Sequence, residues 1–261
     1  ILFSSTIATA GRNLTLDGGA SGNVTLSAAL TGGGAMTVRD GATQNYAALT
    51  VGSLTISDAT NSIAFNAITA TGNVDVTSGG TLTQGAAFDI DGTTTFAVPS
   101  NQNLSITNPS NDFTGAVSVT SGSNVSLKDS NAIVLGTSTV SGTYTVEAVA
   151  GGGITNTGTL TITGVPTFTV AGSQSIALDQ TNNNFASTPV FSVNNTLDPP
   201  GTIDDLTITD NSALEFGALT LGGALTVLIN DNTDTNGAVT QSGALNITSG
   251  KTKITAVGSN I

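Results

Sequence analysis

The feature that most constrains the fold of this chain is that its sequence repeats. Related short sequence motifs, which we call words, recur around Leu14, Leu104 and Ile176. Ile261 stands where a further period would begin. In such arrays each repeat stacks only on its neighbours, so the repetition must be interpreted before any single motif. We expect three long repeats, at about 14–103, 104–175 and 176–260, within one continuous segment, 1–261, that is part of a longer array.

Within each period a shorter word recurs, in which a small polar residue stands between two apolar residues. Examples are Val24-Thr25-Leu26, Leu54-Thr55-Ile56, Val74-Asp75-Val76 and Leu225-Thr226-Val227. This alternation predicts short strands whose first and third residues face inward. Gly, Asn, Asp and Ser flank most of the words, as is typical of turns. No stretch has convincing helical periodicity, so we expect strands and turns alone.

The words return about every 20 residues, as from Leu54 to Val74 and from Leu206 to Leu225. This spacing predicts an all-β fold, a parallel β-helix (a solenoid of short strands) with about 20 residues per turn. The alternative is a string of β-sandwich modules, one for each long repeat. The composition favours the solenoid, because sandwich cores usually need large anchoring side chains, and this chain has 4% aromatic residues and no Trp.

The composition also excludes several classes of function. The chain has neither Cys nor His, which removes disulfides, zinc fingers, thiol nucleophiles and the commonest general base. Its five Lys and Arg residues and net charge of −12 argue against binding to nucleic acid, which needs a basic face. No apolar run is long enough to cross a bilayer. We therefore expect a protein that is not an enzyme, has no cofactor and does not insert into membranes.

Three words in the middle of the chain carry a family resemblance. They are NDFTGAVSV from Asn111, VSLKDSNAIVLG from Val125 and GGGITNTGTLTITG from Gly151, with diverged copies at NNF from Asn183 and at LTITDNSALEFG from Leu206. This pattern resembles the repeats of large bacterial exoproteins of the filamentous-haemagglutinin type. The resemblance implies a right-handed parallel β-helix shaft, secretion across a Gram-negative outer membrane and a role as an adhesin or surface fibre. We recognise no secretion module or binding tip, so the resemblance is to a shaft only.

Two motifs are candidate calcium loops, because both place oxygen ligands at alternate positions before a Gly. One is Asp89-Ile90-Asp91-Gly92, with Asp89 and Asp91 as ligands. The other is the run 230–237, with Asn232, Asp234 and Asn236 as ligands. Both lack the acidic residue expected at the twelfth position, so the patterns favour turns capped by Asx side chains.

Two stretches make the long repeats unequal, and we interpret both as surface loops that could contact a partner. One lies near Arg39 to Ala48 and includes Tyr46. The other lies near Asn194 to Asp205, where the Asp204–Asp205 pair could form half of an acid–base site or a plain solvated turn.

Two functional hypotheses follow. The first is a non-catalytic structural shaft of a secreted bacterial surface adhesin or extracellular fibre, whose partners are the flanking repeats of the same chain. The second is an adhesin face on the same solenoid, on which outward rows of Thr, Asn and Ser bind glycans or a host or neighbouring cell surface. Self-association, end to end or side by side, is a third expectation, because open strand edges template further pairing.

Overall fold

The computed structural model of the chain describes residues 1–194, 201–230 and 237–257, and every regular element in these ranges is a β-strand. The described residues contain no helix that is long and apolar enough to cross a membrane. The chain forms two compact units, Ile1–Asp129 and Ser130–Ile261. Each unit is a parallel β-solenoid, which confirms the fold class expected from the sequence.

Unit 1 contains strands β1 to β19, and three strands make one turn. The strands are β1 (Leu2–Phe3), β2 (Ile7–Ala8), β3 (Leu14–Asp17), β4 (Val24–Leu26), β5 (Leu30–Thr31), β6 (Ala35–Arg39), β7 (Gln44–Tyr46), β8 (Leu49–Val51), β9 (Ser53–Ala59), β10 (Ile63–Phe65), β11 (Ile68–Ala70), β12 (Val74–Ser78), β13 (Leu82–Gln84), β14 (Phe88–Ile90), β15 (Thr94–Ala97), β16 (Leu104–Ile106), β17 (Asp112–Phe113), β18 (Val117–Ser121) and β19 (Val125–Asp129). Sheet 1 has the order β1-β4-β7-β10-β13-β16-β19, sheet 2 β2-β5-β8-β11-β14-β17, and sheet 3 β3-β6-β9-β12-β15-β18.

Unit 2 contains strands β20 to β35. The strands are β20 (Ile133–Leu135), β21 (Ser138–Val140), β22 (Tyr144–Ala148), β23 (Ile154–Asn156), β24 (Leu160–Ile162), β25 (Pro166–Ala171), β26 (Ile176–Leu178), β27 (Asn184–Phe185), β28 (Val190–Asn194), β29 (Leu206–Asp210), β30 (Leu214–Phe216), β31 (Leu219–Leu221), β32 (Leu225–Asn230), β33 (Val239–Gln241), β34 (Leu245–Ile247) and β35 (Thr252–Val257). Within this unit the pairing orders are β20-β23-β26-β29-β32-β35, β22-β25-β28, β21-β24-β27, β30-β33 and β31-β34.

The apolar–polar–apolar words form these strands in the predicted orientation. In β12, for example, Val74 and Val76 are buried and Asp75 between them is exposed. Val74 pairs with Leu54 of the preceding turn and with Thr94 of the following one. Each turn takes about 22 residues, close to the predicted 20. Inward residues therefore form columns that run from turn to turn, and each turn is buried by its neighbours.

Aromatic side chains reinforce these columns in both units. In unit 1 the rings of Tyr46 and Phe65 stack with centroids 5.3 Å apart. In unit 2 Phe168 stacks on Phe191 at 5.9 Å and meets Phe185 edge to face at 6.2 Å. Aromatic pairs at such distances add to the stability gained by burial.

Glycines form the corners between sheets 2 and 3, because successive turns approach too closely there for a side chain. A Cβ atom on Gly72 would lie 2.5 Å from the Gly52 carbonyl oxygen, and one on Gly92 would lie 2.3 Å from the Gly72 carbonyl carbon. The same holds for Gly115 over Gly92, at 2.3 Å from its oxygen. The frequent Gly residues of the sequence thus include a column in which backbone stacks on backbone.

The expectation of a surface loop near Arg39 to Ala48 is wrong. Residues 44–46 form β7, which pairs with β4 on one side and β10 on the other, and Tyr46 is buried. Residues 44–46 lack the apolar–polar–apolar pattern that predicts a strand, because the residue that faces the interior at the first position is the polar Gln44. The Tyr46 hydroxyl donates a hydrogen bond of 2.5 Å to Gln44 Oε1, whereas Gln44 Nε2 is buried without a hydrogen-bond partner among the described residues.

Candidate functional site

The first candidate calcium motif lies at a corner of unit 1. Asp89 is the exposed central residue of β14, in register with Thr69 and Asp112, and Asp91 is exposed at the turn that follows. Gly92 is explained by its approach to Gly72 without any metal. The Asp91 backbone amide donates to the Ala70 carbonyl of the preceding turn. The motif therefore serves as a corner of the solenoid.

The second candidate, Asn232, Asp234 and Asn236, lies outside the described residues. Within the described ranges, no three His, Cys, Asp or Glu side chains are grouped so that they could hold a metal ion.

The Asp204–Asp205 pair takes part in stacking between turns. The Asp204 amide donates to the Gln174 carbonyl, and the Asp205 carbonyl accepts from the Ile176 amide, so both residues belong to the backbone ladder. The Asp205 carboxylate accepts a 2.5 Å bond from the Ala224 amide of the next turn. This arrangement has the form of a capped turn.

A polar cluster, formed by the buried Asn111 and Asp129 and the half-buried Gln84, joins three successive turns of unit 1. Asn111 is fully buried, and its Oδ1 accepts from the Phe88 amide at 2.9 Å and from Gln84 Nε2 at 2.5 Å. Its Nδ2 donates to the carbonyl oxygens of Ile106, at 3.4 Å, and Lys128, at 3.2 Å. We call this set the Asn111 cluster.

Asp129 completes the Asn111 cluster from the following turn. It is fully buried, and its Oδ2 accepts a 2.9 Å bond from the Phe113 amide. The Asn111-Asp112-Phe113 word is thus held through its first and third residues.

An equivalent set in unit 2, the Asn183 cluster, comprises Asn183, Asn156 and Asp210. Asn183 Oδ1 accepts from the Leu160 amide at 3.0 Å and from Asn156 Nδ2 at 2.9 Å, and Asn183 Nδ2 donates to the Leu178 carbonyl at 3.2 Å. Asp210 Oδ2 accepts from the Phe185 amide at 3.4 Å. Asn183 and Asp210 are both fully buried.

Burial has a clear electrostatic effect at Asp210. Desolvation raises the pKa of its carboxyl from 3.8 to about 6, although hydrogen bonds from Ser212, Phe185 and Asn211 act in the opposite direction. Burial also raises the pKa values of the Tyr46 and Tyr144 hydroxyls above their ordinary value. All three groups are buried in the solenoid; of these, Asp210 bonds to a neighbouring turn, and Tyr46 bonds to Gln44 within its own strand.

Exposed Asn residues that precede strands connect turns from the outside. Asn13 Oδ1 accepts from the Ala35 amide at 3.1 Å, Asn23 Oδ1 from the Thr43 amide at 3.2 Å, and Asn73 Oδ1 from the Thr93 amide at 3.1 Å. In each case the donor lies one turn further along the chain. These side chains cap backbone groups that the strand ladders leave open.

A shallow trough crosses the outer face of sheet 1 in unit 1. It encloses about 450 Å³ over strands β4, β7, β10 and β13. Thr83 and Gln84 also line an adjoining hollow of about 380 Å³ that reaches Ser105. The residues that face the trough include Asn45, Ala64 and Asn66. None of the described residues that line either hollow is charged.

The comparison with known families identifies the repeat and leaves its role open. A family model described as repeats of unknown function (DUF5649) matches residues 51–120, 122–192 and 204–261. These matches begin at other points than the long repeats expected from the sequence. No curated protein and no solved structure matches the chain significantly.

Proposed function

This chain belongs to the DUF5649 family of repeats, and we propose that it is a non-catalytic structural shaft of a bacterial surface adhesin or extracellular fibre. The observation that supports the proposal most is the use of its buried polar groups. Asn111, Asn183, Asp129 and Asp210 are all fully buried, and each accepts a backbone amide from a neighbouring turn. Groups that are used in this way hold turns together.

The outer surface supports the same proposal. Outward positions carry mostly Thr, Ser and Asn, as in the column Thr15, Thr37 and Thr55 of sheet 3. The next outward residue of that column is the exposed Asp75, so the surface is mostly uncharged with single acidic side chains, and its short side chains lose little conformational freedom when they are ordered. The natural partners of each repeat are the flanking repeats of the same chain, and association with further copies uses the same strand edges.

The filamentous-haemagglutinin resemblance adds a cellular setting to the proposal, because it implies a protein that is secreted to the bacterial surface, outside the reducing cytosol. The absence of Cys makes the fold independent of the redox state of its compartment. Immunogold labelling of intact cells, with antibodies against residues 51–192, tests this setting. We expect gold particles on the outer surface, and labelling that requires permeabilised cells would contradict it.

Small-angle X-ray scattering on the purified chain tests the shaft itself. A shaft gives an elongated particle whose cross-section holds one solenoid turn of about 22 residues. A maximum dimension typical of a sphere of the same mass would overturn the proposal.

A further inference from the structure

We propose that the trough on sheet 1 of unit 1 is a binding site for a neutral, linear glycan, a function beyond that of a shaft. Its polar lining comes from amides and hydroxyls of successive turns, small residues lie among them on the floor, and the inward-facing Leu26, Tyr46 and Phe65 lie beneath. Asn45, Asn66 and Thr83 are exposed along the trough, and Ala64 lies between Asn45 and Thr83. Small side chains on the floor leave room for a ligand to approach the polar groups.

The register sets the direction in which a ligand would lie. Thr25 pairs with Asn45, Asn45 with Ala64, and Ala64 with Thr83, so the outward residues follow one another across the strands. Neighbouring strands are about 4.8 Å apart. An extended chain of sugar rings that crosses the strands would thus meet a new polar position at nearly every ring.

The chemistry of the lining selects for hydroxyl groups. Each Asn amide offers both a donor and an acceptor, and each Thr or Ser hydroxyl offers the same. Asn66 stands two residues beyond Ala64, beside the row that contains Asn45. The row that contains Asn66 is polar at alternate strands, with Ser27 and Asn66 separated by Ala47, so at those strands it offers a sugar hydroxyl a second partner.

Charge excludes the acidic glycans. No charged side chain lines the described trough, and the chain carries a net charge of −12, so sulfated or uronic-acid polymers gain no ion pair and are repelled. A neutral polymer is not repelled.

The outer face of β22, β25 and β28 in unit 2 provides an internal contrast. This face also has hydroxyls, but those of Thr169 and Ser192 bond each other at 2.8 Å, and Glu147 and the exposed Val190 add a charge and an apolar side chain. We therefore assign the glycan site to unit 1 alone.

Glycan binding by the intact chain tests the proposal. Neutral linear hexasaccharides of glucose, mannose and galactose are titrated into the protein by calorimetry, beside a heparin hexasaccharide as the anionic probe. We expect at least one neutral glycan to bind and heparin not to bind. The double variant Asn45→Ala/Asn66→Ala should weaken binding about tenfold or more, because it removes two amide contacts.

Two further variants keep the outcome interpretable. Ala64→Gln fills the floor with an uncharged side chain and should also abolish binding, whereas Asn61→Ala, an exposed Asn outside the trough, should leave it unchanged. Binding that survives both trough changes, or heparin that binds as well as the neutral glycans, would overturn the proposal. Failure of every neutral glycan to bind would also overturn the glycan-site proposal. The shaft proposal is tested separately, by the scattering experiment.

Discussion

The Asn111 cluster of unit 1 and the Asn183 cluster of unit 2 build the same connection from different residues. In both, a fully buried Asn accepts one backbone amide and one side-chain amide from the preceding turn. In both, an Asp from the following turn accepts the amide of the Phe two residues beyond that Asn. The backbone amides that bond to the Asn and to the Asp come from equivalent positions in the two units, which indicates that the cluster aligns the turns.

The differences between the clusters lie in the second amide side chain. Gln84 in unit 1 reaches Asn111 and also accepts the Asn108 amide at 3.1 Å. Asn156 in unit 2 reaches Asn183, but its own Oδ1 is buried and has no hydrogen-bond partner among the described residues. We call the residue whose side-chain amide donates to the central Asn the supporting residue. It differs by one methylene between the clusters, Gln84 in unit 1 and Asn156 in unit 2, whereas the central Asn and the Asp are the same in both.

Replacing the central Asn should cause the largest effect. Asn183→Leu keeps the approximate size but leaves the Leu160 amide, the Asn156 amide and the Leu178 carbonyl without their partner. We expect it to lower the free energy of unfolding by about 4 kcal/mol, because each unpaired buried group costs about 1–3 kcal/mol. Urea denaturation measures the loss, with the exposed neighbour Asn182→Leu as a control of near-zero effect. If the two clusters are equivalent, Asn111→Leu gives a similar loss; a loss below 1 kcal/mol in both would refute a role in aligning turns.

Asp210 should make the stability depend on pH. Its pKa is about 6 in the folded chain and 3.8 in the reference state, so the folded state binds the proton more tightly between these values. The contribution to stability is therefore full below about pH 4 and is lost as the pH rises through about 6, on the order of 3 kcal/mol in all. Urea denaturation from pH 4 to pH 8 measures this slope.

Two variants isolate the contribution of Asp210. Asp210→Asn should remove this part of the pH dependence, and the exposed Asp204→Asn should retain it. An unchanged slope in Asp210→Asn would show that another group is responsible.

The corners should give the next largest effect, and they exist in both units. A Cβ on Gly92 of unit 1 would lie 2.3 Å from the Gly72 carbonyl carbon, and one on Gly164 of unit 2 would lie 2.5 Å from that of Gly142. Gly92→Ala and Gly164→Ala should each destabilise by about 2 kcal/mol through this overlap. Gly217→Ala is the matched control, because a Cβ there meets nothing within 4 Å. Thermal denaturation compares the three, and a Gly92→Ala variant as stable as Gly217→Ala would contradict the stacking argument.

Exchanging the supporting residues should have the smallest effect. Asn156→Gln gives unit 2 the side chain that unit 1 uses, and we expect a change in the free energy of unfolding of less than about 1 kcal/mol. A larger loss would show that the two clusters are not interchangeable.

The fold was predictable from the sequence because the apolar–polar–apolar word is enough to predict most of the strands. Strands such as Val74-Asp75-Val76 alternate cleanly, so the inward residues follow from the sequence alone. β7 was missed because its inward Gln44 breaks that alternation. The hydrogen bond that Gln44 Oε1 accepts from Tyr46, two residues along the same strand, forms because both side chains face the interior.

The buried polar clusters could not be identified from the sequence for a different reason. Asn and Asp are abundant in the turns, and Asn111 differs from its exposed neighbours only in what lies one turn before and after it. The signal was present in the words NDF and NNF, each followed two strands later by a strand that ends in Asp. Interpreting it requires the register, which places Asp129 against Phe113 and Asp210 against Phe185.

Lengthening the chain tests whether it is a shaft of stacked and interchangeable turns. Three tandem copies of residues 122–192, inserted after residue 192, add about three turns each. Electron microscopy should show particles longer by roughly 45 Å, at about 4.8 Å per turn, with unchanged width. Particles that grow in width, or that keep their original length, would contradict the account.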